Sequence, residues 1–235
     1  MEPIREVRMK RLLTVAFVSV IALGALAPSA QAETLGLTAP PLGSDSNSCP
    51  PDSVLAQATS DPTTPYFVPG PGTITQWQTI TPDDASGQDV SLLVLKPVGD
   101  AFSVVAVDTR TIADPAPDLS SYTLAAPISV SGGETFGIHP GGPDVVCDFS
   151  GGQTPSGDTL AGIDAAELPA PGQTLVRGHD DSPPGFALNV AVTFQPIPNP
   201  PPTTSPAGKK KCKKKHKRSA ESAKKKKKCK KKKRK

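Results

Sequence analysis

Few residues of this chain have the means to do chemistry. His139 in FGIHPGGPD and His179 in HDDS are the histidines of its main body. Either could serve as a general base if a nucleophile stood beside it. No G-x-S-x-G elbow or other paired motif supplies one, so both read as loop histidines among Pro, Gly and Asp. Asp83-Asp84 and Asp180-Asp181 offer carboxylate oxygens to calcium. Neither pair has the ligand spacing of a calcium loop, and both read as solvated acidic surface. Trp77, the sole tryptophan, could stack on a sugar, but inside TITQWQTI it reads first as a core residue. A glycosidase needs two placed carboxylates in a cleft, and no such pair stands out. The chain reads as non-enzymatic, with no cofactor and no metal.

Cys49, Cys147, Cys212 and Cys229 allow three pairings. Their positions favour Cys49 with Cys147 in the body and Cys212 with Cys229 in the tail. The second bridge would set two KKKCKKK repeats, 209–215 and 226–232, side by side. Cys212 and His216 make a weak zinc pattern, because only one distant cysteine could complete it and the surrounding lysines oppose a dication.

Those lysines carry the sharpest signal. Lys209, Lys210, Lys211, Lys213, Lys214, Lys215, Lys217 and Arg218 form one block. Lys224, Lys225, Lys226, Lys227, Lys228, Lys230, Lys231, Lys232, Lys233, Arg234 and Lys235 form the next, and Glu221 is the one acidic residue among them. Such blocks bind anionic polymers by counterion release, with little sequence preference. Lysine greatly outnumbers arginine, the residue suited to bidentate base readout. No aromatic side chain interleaves the lysines for stacking on bases. Expected partners are an anionic surface polymer or anionic lipid headgroups. Nucleic acid is disfavoured by the export signal described below, and the body could take carbohydrate. The competing reading is a tail that neutralises its own acidic body.

The body invites that reading. Residues 33–208 hold 19 Asp and Glu against Lys96, Arg110 and Arg177, a net charge of −16, whereas residues 209–235 carry +18. An overall charge of +4 therefore hides a strong separation, the mark of an interaction tail. The tail lacks the apolar residues and periodicity of a core and is expected to be disordered. PIPNPPPTTSPAG, 196–208, precedes it. Its prolines predict an extended spacer of roughly 3 Å per residue.

At the other end, Arg5, Arg8, Lys10 and Arg11 precede the apolar run LLTVAFVSVIALGALA, 12–27, and then Ala30-Gln31-Ala32. This is the pattern of a secretory signal peptide over 1–32, cleaved before Glu33. The run is shorter than the ~20 residues that span a bilayer, so no transmembrane span is expected in the mature chain. The expected location is extracellular, in association with the cell wall.

Between these ends, 33–65 is rich in Pro, Ser, Thr and Asp and reads as a lead-in outside the fold. Residues 66–195 have the marks of an all-β domain, with short runs of Val, Ile, Thr, Phe and Leu between Gly, Pro, Asp and Ser. Expected strands lie at 73–80, 89–96, 101–112, 122–130, 134–138, 145–149, 173–177 and 186–194. In the last, Phe186, Leu188, Val190, Val192 and Phe194 alternate with Ala187, Asn189, Ala191 and Thr193, a period-two pattern over one strand. Two packed sheets suit so many short strands, and the expectation is a jelly-roll-like or immunoglobulin-like β-sandwich, the jelly roll preferred.

PGTITQW, DVSLLVLKPVGDAFSVVAV and PISVSGGETFGI together resemble a class of secreted β-sandwich proteins from high-GC Gram-positive bacteria. Those proteins often share a proline linker and a Lys/Cys-rich tail. The resemblance implies an extracellular jelly-roll-like module and no particular activity.

Overall fold

β-branched and aromatic residues between turn formers make most of the strands here, while β2 is the polar DSNS. The structure, a computed structural model, describes residues 31–198 apart from 38, 51, 64, 179 and 180. Thirteen strands follow one another: β1 (Glu33–Gly36), β2 (Asp45–Ser48), β3 (Ser53–Thr59), β4 (Gly72–Ile80), β5 (Asp89–Val98), β6 (Ala101–Thr111) and β7 (Leu119–Val130). Then come β8 (Thr135–Pro140), β9 (Val146–Ser150), β10 (Thr159–Asp164), β11 (Thr174–Val176), β12 (Phe186–Leu188) and β13 (Ala191–Pro196). One 3₁₀ turn, Asp83–Ala85, is the only helical element among the described residues.

Three antiparallel sheets result, in the orders β1-β13-β4-β7, β10-β3-β8-β5-β6-β11 and β12-β9-β2. The fold is an all-β sandwich of antiparallel sheets that includes a curled half-barrel. Ile74, Trp77, Val192 and Phe194 from the four-stranded sheet meet Leu55, Val90, Leu92, Val94, Phe136 and Ile138 from the six-stranded one. Cys147 and Leu188 of the third sheet close the same core. Val54, Ala56, Leu93, Leu95, Phe102, Val104, Ala161, Ile163 and Leu175 form a second core. Val90, Leu92 and Val94 of β5 go to the first and Leu93 and Leu95 to the second, so the strand is buried on both faces. That is why its sequence is a continuous apolar run rather than an alternation.

A bulge decides where the tryptophan goes. Ile74 and Trp77 are three apart, and strict alternation would send them to opposite faces. Against β13, β4 carries one extra residue between Ile74, opposite Phe194, and Gln76, opposite Thr193, and the Ile74 and Trp77 side chains both turn inward, fully buried. An extra residue in one strand resets the facing of all that follow.

Two expectations are revised. Segment 33–65 is not a lead-in outside the fold, because it supplies β1, β2 and β3. β3 lies between β10 and β8 inside the six-stranded sheet. Gly36 ends β1 at φ 92°, where a Cβ would lie 2.2 Å from the Val190 carbonyl oxygen, so only glycine fits.

Residues 186–194 are not one strand. The chain changes sheets between Leu188 and Ala191, leaving β12 on β9 and β13 on β4. Asn189 holds the crossing and is fully buried. Its Nδ2 donates to the carbonyls of Ile80 (2.8 Å) and Val146 (2.9 Å), and its Oδ1 accepts from Ile80 N–H at 2.9 Å. The side chain thus ties the crossing to Ile80 and Val146, beside the backbone bond from Asn189 N–H to the Cys147 carbonyl at 2.7 Å. Asn189→Ala is expected to cost about 2–3 kcal/mol in urea unfolding, because it strands these buried backbone groups. Wild-type stability in the variant would show the corner to be held by packing alone.

Candidate functional site

The sequence-marked residues come first. Cys49 and Cys147 form the expected disulfide, across 98 residues of chain. Cys212 and Cys229, and every lysine and arginine of 209–235, lie outside the described residues, as do His179 and Asp180. Asp83 and Asp84 sit in the first turn of the short 3₁₀ element. Among the described residues no group of three His, Cys, Asp or Glu side chains could hold a metal. Trp77 is core, with its ring centroid 4.6 Å from that of Tyr122 and its Nε1–H donating to Asp108 Oδ2 at 2.7 Å. A sugar platform at Trp77 is therefore closed off.

His139 lies half-buried at the end of β8, on a cleft of about 390 Å³ shared with Asp52, Gly141 and Ala166. Its Nε2 is 3.3 Å from the Ala165 carbonyl, so this nitrogen carries the hydrogen. Burial lowers the imidazole's pKa, against the Ala165 bond and the charge of Asp52, which both act to raise it. Ser91 stands opposite His139 in the β5–β8 register, a neighbour that sequence spacing did not reveal. Its hydroxyl is bonded instead to Thr109 Oγ1 at 2.8 Å. This geometry offers an imidazole with one nitrogen already engaged, beside a serine that is not bonded to it.

The electrostatics of the body are settled by three ion pairs. Lys96 Nζ reaches Glu134 Oε1 at 3.1 Å, Arg110 Nε reaches Asp108 Oδ2 at 2.8 Å, and Arg177 Nη1 lies 3.9 Å from Asp181 Oδ2. Every basic side chain of residues 33–208 is thus committed to a carboxylate of the body.

Glu134 is the most tightly held of these acids. Burial alone would raise its pKa, but it accepts from Ser131 Oγ at 2.6 Å, Gly132 N–H at 2.7 Å and Lys96, and the net displacement is downward. A carboxyl whose folded pKa is depressed adds stability above its unfolded pKa and loses it as pH falls through the folded one. Glu134→Gln is expected to cost about 1–2 kcal/mol near pH 7. That gap should close on acidification when both proteins are unfolded in urea across the carboxylate range. A gap independent of pH would show that the ionised form contributes nothing.

Sequence reasoning passed over the pairing of Asp108 with Trp77 and a buried acid in the third sheet, Asp148. An aspartate inside the apolar strand VVCDF was the available signal for the second. Set beside known proteins, the chain matches no protein family, no curated protein and no solved structure.

Proposed function

We propose that this is a secreted, non-enzymatic β-sandwich protein, retained near the cell surface by a polybasic tail that binds an anionic surface polymer or anionic lipid headgroups. The observation that carries the reading is the segregation of charge. The body's three basic side chains are each occupied by its own carboxylates, while 19 Lys and Arg are gathered in 209–235. A surface so acidic repels polyanions, so any grip on them falls to the tail. The Cys49–Cys147 bridge supports export, since such bonds persist in oxidising compartments. No helix among the described residues is long and apolar enough to cross a membrane. The carbohydrate-binding alternative is weakened by the burial of Trp77.

The deciding experiment compares retention on cells of residues 33–207 with that of 33–235. Release of the shorter chain into the medium supports the tether. Equal retention of both ends it.

A further inference from the structure

Asp148 is a buried carboxyl with no Lys or Arg partner among the described residues. It lies in β9, only 5 % exposed, and its Oδ1 accepts a hydrogen bond from Asn47 Nδ2 at 2.6 Å. Oδ2 accepts none from the described residues. The fully buried, unpaired side-chain atoms among them are Tyr122 Oη and Arg177 Nε, so Asp148 Oδ2 is not sealed in. It opens onto a cleft of about 250 Å³, walled by Pro50, Leu55, Leu160 and Phe186, with Ser182 as the second polar side chain. Ser182 is held there by backbone pairing with Leu160, whose N–H donates to Ser182 Oγ at 2.7 Å. Lys96, Arg110 and Arg177 are all engaged elsewhere. Burial pushes the Asp148 carboxyl up, and the Asn47 bond only partly opposes this.

A carboxylate against apolar walls is costly until a cation reaches it. Asn47 occupies one lone pair of Oδ1 and leaves Oδ2 without a donor from the described residues. An ammonium is a compact charge with three rotatable donors, which suits one free oxygen and a nearby hydroxyl. Its methylene stem would cover Leu55, Leu160 and Phe186, as amphipathic cations do on apolar surfaces.

We infer that this cleft binds a primary alkylammonium group, with the ammonium on Asp148 Oδ2 and its stem along the Leu55, Leu160 and Phe186 wall. A free aliphatic amine and a lysine side chain of another polypeptide share this chemistry. The inference is independent of the tail.

The test is an amide-resolved NMR titration of the mature chain with n-butylammonium chloride, using tetramethylammonium chloride to hold ionic strength constant. Saturable shifts at Leu55, Leu160 and Phe186 are expected. Asp148→Asn keeps an acceptor for Asn47 while removing the charge, and should weaken binding tenfold or more. n-Butanol, with the same stem and no charge, is a control that needs no variant and should bind at least tenfold more weakly. Butylammonium shifts no larger than those of tetramethylammonium would overturn the inference, as would equal binding by butanol or by the folded variant. 1,4-Diaminobutane and an end-capped Gly-Gly-Lys-Gly-Gly peptide separate the two sources by which binds more tightly. Binding by neither would also overturn it.

Discussion

Reduction of the Cys49–Cys147 bridge is expected to remove about 4–5 kcal/mol of stability, the largest loss available from any single bond in this fold. The bridge closes a loop of 98 residues, and the entropy withheld from the unfolded chain grows with the logarithm of loop length. Its location adds to the effect. Cys49 follows β2, a strand of four residues whose only partner is β9. The third sheet has strands of four, five and three residues, too short to stand alone. Cys147 lies in β9, so the bridge ties two neighbouring strands of this small sheet to each other, and both cysteines are buried in the main core. Against a typical domain stability of about 5–15 kcal/mol, the loss would leave a protein partly unfolded at 37 °C. The measurement is the urea midpoint with and without reductant, together with Cys49→Ala/Cys147→Ala to avoid burying free thiols. A loss below about 1 kcal/mol would mean that packing, not the cross-link, holds β2 in place.

The second large effect belongs to the tail. Binding of the mature chain to anionic wall or vesicle preparations should fall steeply with salt. If the tail neutralises about six to ten phosphates, raising salt from 50 to 200 mM should weaken binding by roughly 10³–10⁵-fold. Lysine-to-arginine replacement throughout 209–235 should largely preserve binding, since point charge does the work, whereas lysine-to-glutamine replacement should abolish it. Truncation after Ala207 should have the same result and leave the urea midpoint of the sandwich unchanged. The described core is complete by Pro196, within a compact unit that ends at Pro198. A tail that served instead to neutralise the body would give the opposite pattern: retention unchanged, stability lowered.

How far the sequence led can be judged at particular strands. TITQWQTI and DVSLLVLK are strands as read, because β-branched runs bounded by turn residues form strands wherever a partner lies. β10, TLAGID, was missed: Leu160, Ala161 and Ile163 are buried, but Gly162 and the short span leave little periodicity to see. β3, SVLAQAT, was missed for a related reason. Its first five residues are buried on both faces, and it sits in a stretch whose composition reads as loop.

Charge segregation and the all-β class were determined by the sequence itself, since composition and short-range pattern are local properties of a chain, whereas the sequence left three cysteine pairings open and the tertiary structure joined Cys49 to Cys147. Only the tertiary structure decided that 33–59 enters the sheets, that β4 slips register to bury Trp77, and that 186–194 breaks at Asn189 to serve two sheets. It alone placed Asp148, buried and without a Lys or Arg partner among the described residues, on the wall of an apolar cleft. Each of these depends on a partner distant along the chain: Val190 for Gly36, Tyr122 for Trp77, Ile80 and Val146 for Asn189, Asn47 for Asp148. Strand pairing is non-local, and a one-residue slip reverses every side chain beyond it. Period-two reading can therefore identify a strand, but which face it buries is set by the neighbour it meets.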